Sequence, residues 1–157
     1  MLRALACLAI AAAAAAALAP TGSGSAEARR CQPTVGDGAG PFQLGRVAAP
    51  RRAKIGKGHV LKGRVLRAPD CKPLAGIRVV LWQAGKNGYG PRGRASVVTD
   101  RAGRFRFEGP VPGSYGGRQP HIHIAITHPA YEELVTRHVV RRGARAGQVT
   151  LVLEPVL

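Results

Sequence analysis

The residues best suited to chemistry in this 157-residue chain are His121 and His123, which are separated by one residue in the run His-Ile-His-Ile-Ala-Ile. Side chains alternate across a β-strand, so the two imidazoles would share one face while Ile122, Ile124 and Ile126 take the core. Imidazoles at positions i and i+2 can bind one metal ion without backbone distortion. An isolated His-x-His is more often structural or solvated, so a metal site needs further ligands.

Two tyrosines are the remaining candidate ligands. Tyr89 and Tyr115 lie in the turn-rich segments Asn87–Pro91 and Pro112–Gly117, and we expect neither to alternate into a core strand. Phenolate oxygen is a hard ligand that suits a hard ion such as Fe(III). The two-His, one-carboxylate site of Fe(II) oxygenases fits poorly, because no Asp or Glu accompanies the histidine pair at the required spacing. A zinc site lacks an obvious third ligand.

Short β-rich runs bounded by Gly, Pro or Asp would position these side chains. Seven such runs are typical of a single all-β sandwich, which we place at residues 58–157 after an irregular arm at residues 29–57. No window of helical length shows an amphipathic 3.6-residue period. The predicted strands are Val60–Leu66, Ile77–Ala84, Ala95–Thr99, Arg104–Glu108, His121–Thr127, Leu134–Val140 and Gln148–Leu153.

The N-terminus has the three parts of a secretory signal peptide. Arg3 gives a positive start, Ala4–Ala19 is an apolar run too short to span a bilayer comfortably, and Ala26-Glu27-Ala28 fits the cleavage pattern. We therefore expect residues 1–28 to be removed. The product would be secreted or periplasmic, with no membrane association after cleavage.

Two cysteines remain after the predicted cleavage site, Cys31 and Cys71. In an oxidising compartment an even pair favours a disulfide, which would stabilise the fold by about 4 kcal/mol on the chain-entropy model. Two reduced cysteines are the alternative.

The charge of the chain bears on its partners. Lys and Arg number 24 against 8 Asp and Glu, which gives a formal net charge of +16. The arginines are scattered and do not form one stripe interleaved with aromatic residues, so nucleic-acid recognition is not indicated. A positive field would still raise the local concentration of aromatic acids or other polyanions.

Several pieces of the sequence, taken in order and with their spacing, resemble the intradiol ring-cleavage dioxygenases, which include catechol and protocatechuate dioxygenases. The resemblance runs from Cys31 to about Val140, and the compact spacing and signal are similar to the small exported branch of the family. The pieces are Cys31–Thr34 with Gly40–Phe42, Leu61–Leu66, Cys71–Gly76, Leu81–Ala84 before Asn87–Tyr89, Thr99-Asp100 with Gly103–Phe107, and Pro112–Tyr115 leading to Arg118–His123.

The resemblance implies a mononuclear Fe(III) held by Tyr89, Tyr115, His121 and His123. In the family a catechol binds the ferric ion through both oxygens, and the tyrosinate that precedes the His-x-His strand, here Tyr115, is displaced and accepts a proton. Arg118 falls on the family's arginine near the substrate ring. The implied reaction consumes O₂ and cleaves the ring between the hydroxylated carbons to a muconate-type diacid.

The chain departs from the family at two positions. Gln43 follows Phe42 where many members have Tyr, and Arg137 stands where a Gln commonly lies near the site. These departures bear on the choice of catechol, which the sequence leaves open, more than on iron binding.

Other residues have simpler interpretations. Trp82, Gln83 and Asp100 are interpreted as structural, because buried rings and turn-forming Asp residues are common in such sheets. The remaining histidines are interpreted as surface or packing residues, namely His59, His128 and His138.

The alternative function is an exported binding module without catalysis. Transthyretin-like and carboxypeptidase-regulatory-like sandwiches share the strand and turn rhythm of this chain. The four candidate ligands discriminate between the two functions, since a binding module has no reason to keep them. A homo-oligomer is left open by the sequence.

Overall fold

In the computed structural model, residues 31–37 and 49–157 are described, and their regular structure is all β-strand. One sheet has the strand order β4-β1-β7 and the other the order β3-β2-β5-β6. The predicted all-β sandwich is therefore confirmed, and every predicted strand has a counterpart. The strands are β1 (His59–Arg67), β2 (Arg78–Gly85), β3 (Gly88–Val98), β4 (Arg104–Gly109), β5 (His121–His128), β6 (Tyr131–Val139) and β7 (Ala146–Leu153).

Some predictions fall outside the described residues or stay untested. The signal peptide at residues 1–28 and the departure at Gln43 lie outside the described residues. Within the arm, residues 49–57 contact the sheets through isolated bridges, such as Arg51 with Ser96. The domain boundaries stay predictions. Within residues 31–37 and 49–157, no helix has the length and apolar character needed to cross a bilayer.

The space between the sheets is filled by alternate residues of the strands. Ile122, Ile124 and Ile126 of β5 are completely buried there, as the alternation predicts. Burying each such side chain contributes roughly 1.5–3 kcal/mol. The isoleucines therefore fix which face of β5 points inward, and His121 and His123 lie on the opposite, outer face of the larger sheet. Buried partners from the other strands include Leu61, Leu81, Phe107, Leu134 and Leu151.

The start of β3 corrects one expectation from the sequence. We expected a strand from Ala95 and placed Tyr89 in a turn-rich loop, but β3 begins at Gly88 and Tyr89 pairs with Ala84 of β2. Gly88, with a φ of 84°, completes the tight turn between the two strands. The register then shifts between Trp82 and Ala84, so extra residues of β3 form a bulge. In a strand with such an irregularity, inward-facing and outward-facing residues do not alternate regularly along the sequence.

The predicted disulfide is present between Cys31 and Cys71, whose Cα atoms are 5.2 Å apart. It joins the arm to the connection between β1 and β2. The Cys31 N–H also donates a hydrogen bond to the Pro69 carbonyl at 2.9 Å. This end of the arm is therefore attached both covalently and through the backbone.

Beyond the disulfide, the arm follows the edge of the sandwich towards the larger sheet. The Thr34 N–H donates to the Val152 carbonyl on β7 at 3.0 Å. The Asp37 N–H donates to the Val135 carbonyl on β6 at 2.8 Å. These two bonds bring Asp37 to the strand that neighbours β5.

We predict that replacing both cysteines with serine lowers the free energy of unfolding by about 4 kcal/mol, because the bond closes a loop with a sequence separation of 40. Urea unfolding at constant temperature measures the change. Wild-type protein in excess reductant should match the double variant, and reductant should not affect the double variant. Equal midpoints for both proteins without reductant would show that the bond does not stabilise the fold.

Candidate metal centre

The candidate ligands lie on the outer face of the four-stranded sheet. His123 on β5 pairs with Trp82 on β2, and Tyr89 lies near the start of β3 on the other side of β2. Although this face points away from the core, His121 and His123 are only 3% and 6% exposed. The histidine pair is therefore buried and not solvated.

Three donor atoms converge on this face. The Tyr89 hydroxyl oxygen lies 3.0 Å from His121 Nε2 and 2.9 Å from His123 Nε2. The two Nε2 atoms are 3.1 Å from each other. We call these three atoms the donor triangle.

Hydrogen bonds alone do not account for the donor triangle. His121 Nδ1 lies 2.6 Å from the Gln119 carbonyl oxygen, which only accepts, so the proton of the neutral imidazole is on Nδ1 and Nε2 has a lone pair. Tyr89 and His123 supply at most one further proton each. At most two of the three close pairs are therefore hydrogen bonds, and the third pair has no proton between its atoms.

A single metal ion fits the donor triangle. Ligands that bind one ion at right angles through bonds of about 2.1 Å are themselves about 3.0 Å apart. The observed separations are 2.9 to 3.1 Å. The donor set, two imidazoles and a phenol, also matches a hard or borderline ion.

Neighbouring groups hold both imidazoles in place. The Gln119 carbonyl fixes the tautomer and the orientation of His121, as is usual for metal-binding histidines. Trp82 stacks on His123, with ring centroids 4.8 Å apart and planes 9° apart. Trp82 is itself only 1% exposed, so its ring is surrounded by other side chains and backbone. Trp82, interpreted from the sequence as structural, therefore also positions His123.

The electrostatics of the site favour neutral side chains when no metal is bound. Burial, together with the neighbouring His121 and Arg137, lowers the pKa of His123 to about 4. Burial raises the pKa of Tyr89, although Arg118 and Arg137 act in the opposite direction. The neutral imidazole is the form that binds metal, whereas the phenolate requires the charge of a cation nearby.

The connection between β4 and β5 carries Tyr115 and Arg118. The Tyr115 ring packs edge-on against Tyr89, with centroids 5.3 Å apart and an interplanar angle of 74°, and the residue is 40% exposed. The connection is attached to β2, because the Gln83 side-chain amide donates to the Pro110 carbonyl at 2.8 Å. The structure thus brings Tyr115 beside the donor triangle through its ring contact with Tyr89.

A cleft of about 230 Å³ opens beside the donor triangle and is lined by Arg118, Gln119, His121, Arg137 and Val139. Across the β5–β6 pairing, Arg137 lies opposite His123 and Val139 lies opposite His121. The cleft is smaller than the roughly 300–1,000 Å³ of pockets for drug-sized ligands, so it suits a molecule of about one ring. No pattern in the sequence indicated that Gln119 and Val139 line this cleft, although the register of β5 and β6 would have placed Val139 there.

Among residues 31–37 and 49–157, no three His, Cys, Asp or Glu side chains are grouped to hold a metal ion. The third donor beside the histidine pair is a phenol.

Sequence comparison finds a related protein. A 6-chlorohydroxyquinol 1,2-dioxygenase from Cupriavidus pinatubonensis strain JMP 134 is 33% identical over 115 aligned residues, which cover 56% of this chain and 41% of that protein. This chain therefore spans less than half the length of that relative. No protein-family model matches the chain.

Solved structures share the fold. The dioxygenase domain of a dioxygenase carbohydrate-binding protein fusion from Streptomyces sp. SirexAA-E has a TM-score of 0.67 and 24% identity, covering 80% of this chain and 100% of that domain. An intradiol ring-cleavage dioxygenase from Tetranychus urticae has a TM-score of 0.69 and 20% identity, covering 81% of this chain and 97% of that one. The predicted resemblance to intradiol dioxygenases is thus confirmed, in sequence by the bacterial relative and in fold by these structures.

We predict that Gly88→Ala disturbs Tyr115. An added Cβ would lie 3.2 Å from Tyr115 Cε2, and the φ of Gly88 is 84°. For an L-residue this left-handed conformation is unfavourable by about 1–2 kcal/mol, so the free energy of unfolding should fall by about that amount. Urea unfolding measures it, and nuclear Overhauser contacts between the Tyr89 and Tyr115 rings report the displacement.

Gly90→Ala is the matched control, because a Cβ there meets nothing within 4 Å and the φ of Gly90 is not positive. We expect a change below about 0.5 kcal/mol and unchanged ring contacts. Equal effects of the two substitutions would contradict a specific role for Gly88.

Proposed function

We propose that this chain is a non-haem Fe(III) intradiol dioxygenase. It opens the ring of a catechol-type substrate between the two hydroxylated carbons and incorporates both atoms of O₂ to give a muconate-type diacid. The observation that carries this proposal is the donor triangle, in which a phenol and two imidazoles lie within 3.1 Å with fewer protons than close contacts. The names of the relative and of the solved structures support the same chemistry.

In this proposal Tyr89, Tyr115, His121 and His123 hold the iron. Phenolate oxygens and imidazole nitrogens suit a ferric ion. When bound, the ferric ion supplies the charge that ionises the phenols and the catechol, and it withdraws electron density from the ring.

The two tyrosines have different tasks because their surroundings differ. Tyr89 lies on a strand, half-buried against both imidazoles, and stays in place. Tyr115 is 40% exposed on a connection and contacts the site by a ring edge, so it has room to move. Its hydroxyl oxygen accepts a proton from the substrate as the catechol binds.

Arg118 stabilises the negative charge of the reacting ring. It lines the cleft together with His121, and its charge reaches the donor triangle, since it opposes the raised pKa of Tyr89. A preorganised guanidinium next to developing charge lowers the barrier without reorganising water.

The location of the reaction is part of the same proposal. We expect residues 1–28 to direct export, which makes the protein secreted or periplasmic. The Cys31–Cys71 disulfide supports this, because such bonds persist in oxidising compartments.

We predict that wild-type protein reconstituted with Fe(III) holds stoichiometric iron and has a broad visible tyrosinate-to-iron absorption, which shifts when catechol is added without oxygen. Tyr89→Phe and His123→Ala should each weaken iron affinity by about tenfold or more, because each removes a ligand. Metal analysis and visible spectroscopy measure both effects.

Matched controls for these variants come from a second tyrosine–histidine contact. Tyr131 and His128 pack together with ring centroids 5.3 Å apart at the turn between β5 and β6. Tyr131→Phe and His128→Ala should keep the iron and the colour. Colourless wild-type protein without iron would contradict the proposal and would favour the binding module.

We predict that Arg118→Ala keeps the visible absorption and lowers kcat by about 100-fold, the effect of removing one preorganised donor. Steady-state oxygen consumption with catechol measures the rate. Arg101→Ala, at an exposed turn position between β3 and β4, is the charge-matched control and should leave kcat unchanged. Loss of colour in the Arg118 variant would instead indicate a structural role.

A further inference from the structure

Arg137 is a charged residue beside the donor triangle that the proposed function does not use. It lies directly opposite His123 in the β5–β6 pairing, so both side chains are on the outer face of the sheet. Cβ atoms of such neighbours are about 4.5–5.5 Å apart. Arg137 is half-buried and lines the same cleft as His121 and Arg118. Its guanidinium is therefore within reach of a molecule bound at the donor triangle.

Asp37 orients this guanidinium. The Asp37 carboxylate forms an ion pair with Arg137 Nε, and the Asp37 N–H donates to the Val135 carbonyl two residues earlier on the same strand. The carboxylate is thus attached to β6 independently of the ion pair. A guanidinium has five N–H donors, and one carboxylate takes two of them in the bidentate arrangement, so donors remain for a second anion.

The charge of the cleft favours an anion. Among the residues that the structure describes, its lining includes Arg118 and Arg137 and no Asp or Glu. Both arginines act on the pKa of Tyr89 and of His123, and Asp37 opposes them in part at His123. Arg118 faces the reacting ring in the proposed function, and Asp37 occupies only part of the Arg137 guanidinium, so the remaining donors of Arg137 are available to another negative group.

We propose that the substrate is a catechol with a carboxylate on its ring, and that Arg137, oriented by Asp37, binds this carboxylate. This inference rests on the proposed function and specifies the substrate class of the same site. A planar carboxylate accepts two parallel N–H bonds from a guanidinium, which a neutral substituent does not match. The apolar side chain of Val139, on the same side of the cleft, is available to the ring.

The test compares two ligands of nearly the same shape, 3,4-dihydroxybenzoate and 3,4-dihydroxybenzamide. Their dissociation constants are measured on iron-loaded protein under argon, from the shift of the visible absorption. We expect the carboxylate to bind about tenfold more tightly than the amide, as one charge-assisted interaction predicts. In Arg137→Gln the ratio of the two constants should fall to about one to two.

Three further variants separate the effects of the Arg137 charge, the planar shape of its guanidinium and the Asp37 carboxylate. Arg137→Lys keeps the charge but loses the planar fork, so we expect an intermediate ratio. Asp37→Asn keeps a side-chain oxygen that can accept from Arg137 Nε but removes the competing negative charge, so the preference for the benzoate should increase. Arg64→Gln removes the same charge from an exposed position on the other sheet. As the control, it should leave the ratio of the two dissociation constants unchanged.

A second measurement needs no iron. Benzoate should raise the melting temperature of metal-free protein more than benzamide does, and Arg137→Gln should abolish the difference. Equal binding of the two dihydroxy ligands to the wild type, or an unchanged ratio in both Arg137 variants, would overturn the inference. Protein that takes up no iron would count against the proposed function, while the benzoate measurement would still decide the role of Arg137.

Discussion

The candidate site depends on three polar atoms that lie close together on a buried face. Their protons suffice for hydrogen bonds in at most two of the three close pairs. Tyr89, His121 and His123 bring these atoms within 3.1 Å. Polar atoms are unfavourable on a buried face unless their surroundings fix them, so this arrangement depends on the groups around it. The fixed surroundings are visible in the Gln119 carbonyl and the Trp82 ring. In the proposed function, a ferric ion binds all three atoms.

The force that fixes the site comes from the opposite face of the same strand. Ile122, Ile124 and Ile126 are completely buried between the sheets. Because side chains alternate, their burial determines the direction of His121 and His123. Sliding β5 by one residue would put the imidazoles into the core and the isoleucines outside. The hydrophobic core therefore sets the direction of the ligands, while Tyr115 lies on an exposed connection where movement does not disturb the core.

The sequence predicted the parts of this arrangement that depend on local pattern. The alternation around His121 gave the strand, its inward face and the histidine pair, and the family resemblance gave the two tyrosines. The place of Tyr89 on a strand was not predicted, because the register shift in β3 interrupts the alternation. The role of Gln119 was not predictable from its side chain, since its backbone carbonyl makes the contact. Arg137 appeared only as a departure from the family, because its position opposite His123 depends on the pairing of β5 with β6.

The arm links the stability of the fold to the chemistry of the cleft. Its attachment begins at the Cys31–Cys71 disulfide and reaches β6 at Asp37, which pairs with Arg137. An additional arginine beside a ferric site would add repulsion, and Asp37 offsets part of it. Because the two groups compensate each other, the effects of removing them singly should not add up to the effect of removing both. Arg137 therefore depends on a residue that is distant in sequence and near in space, so a change in the arm alters the electrostatic field at the candidate metal centre without touching a proposed ligand.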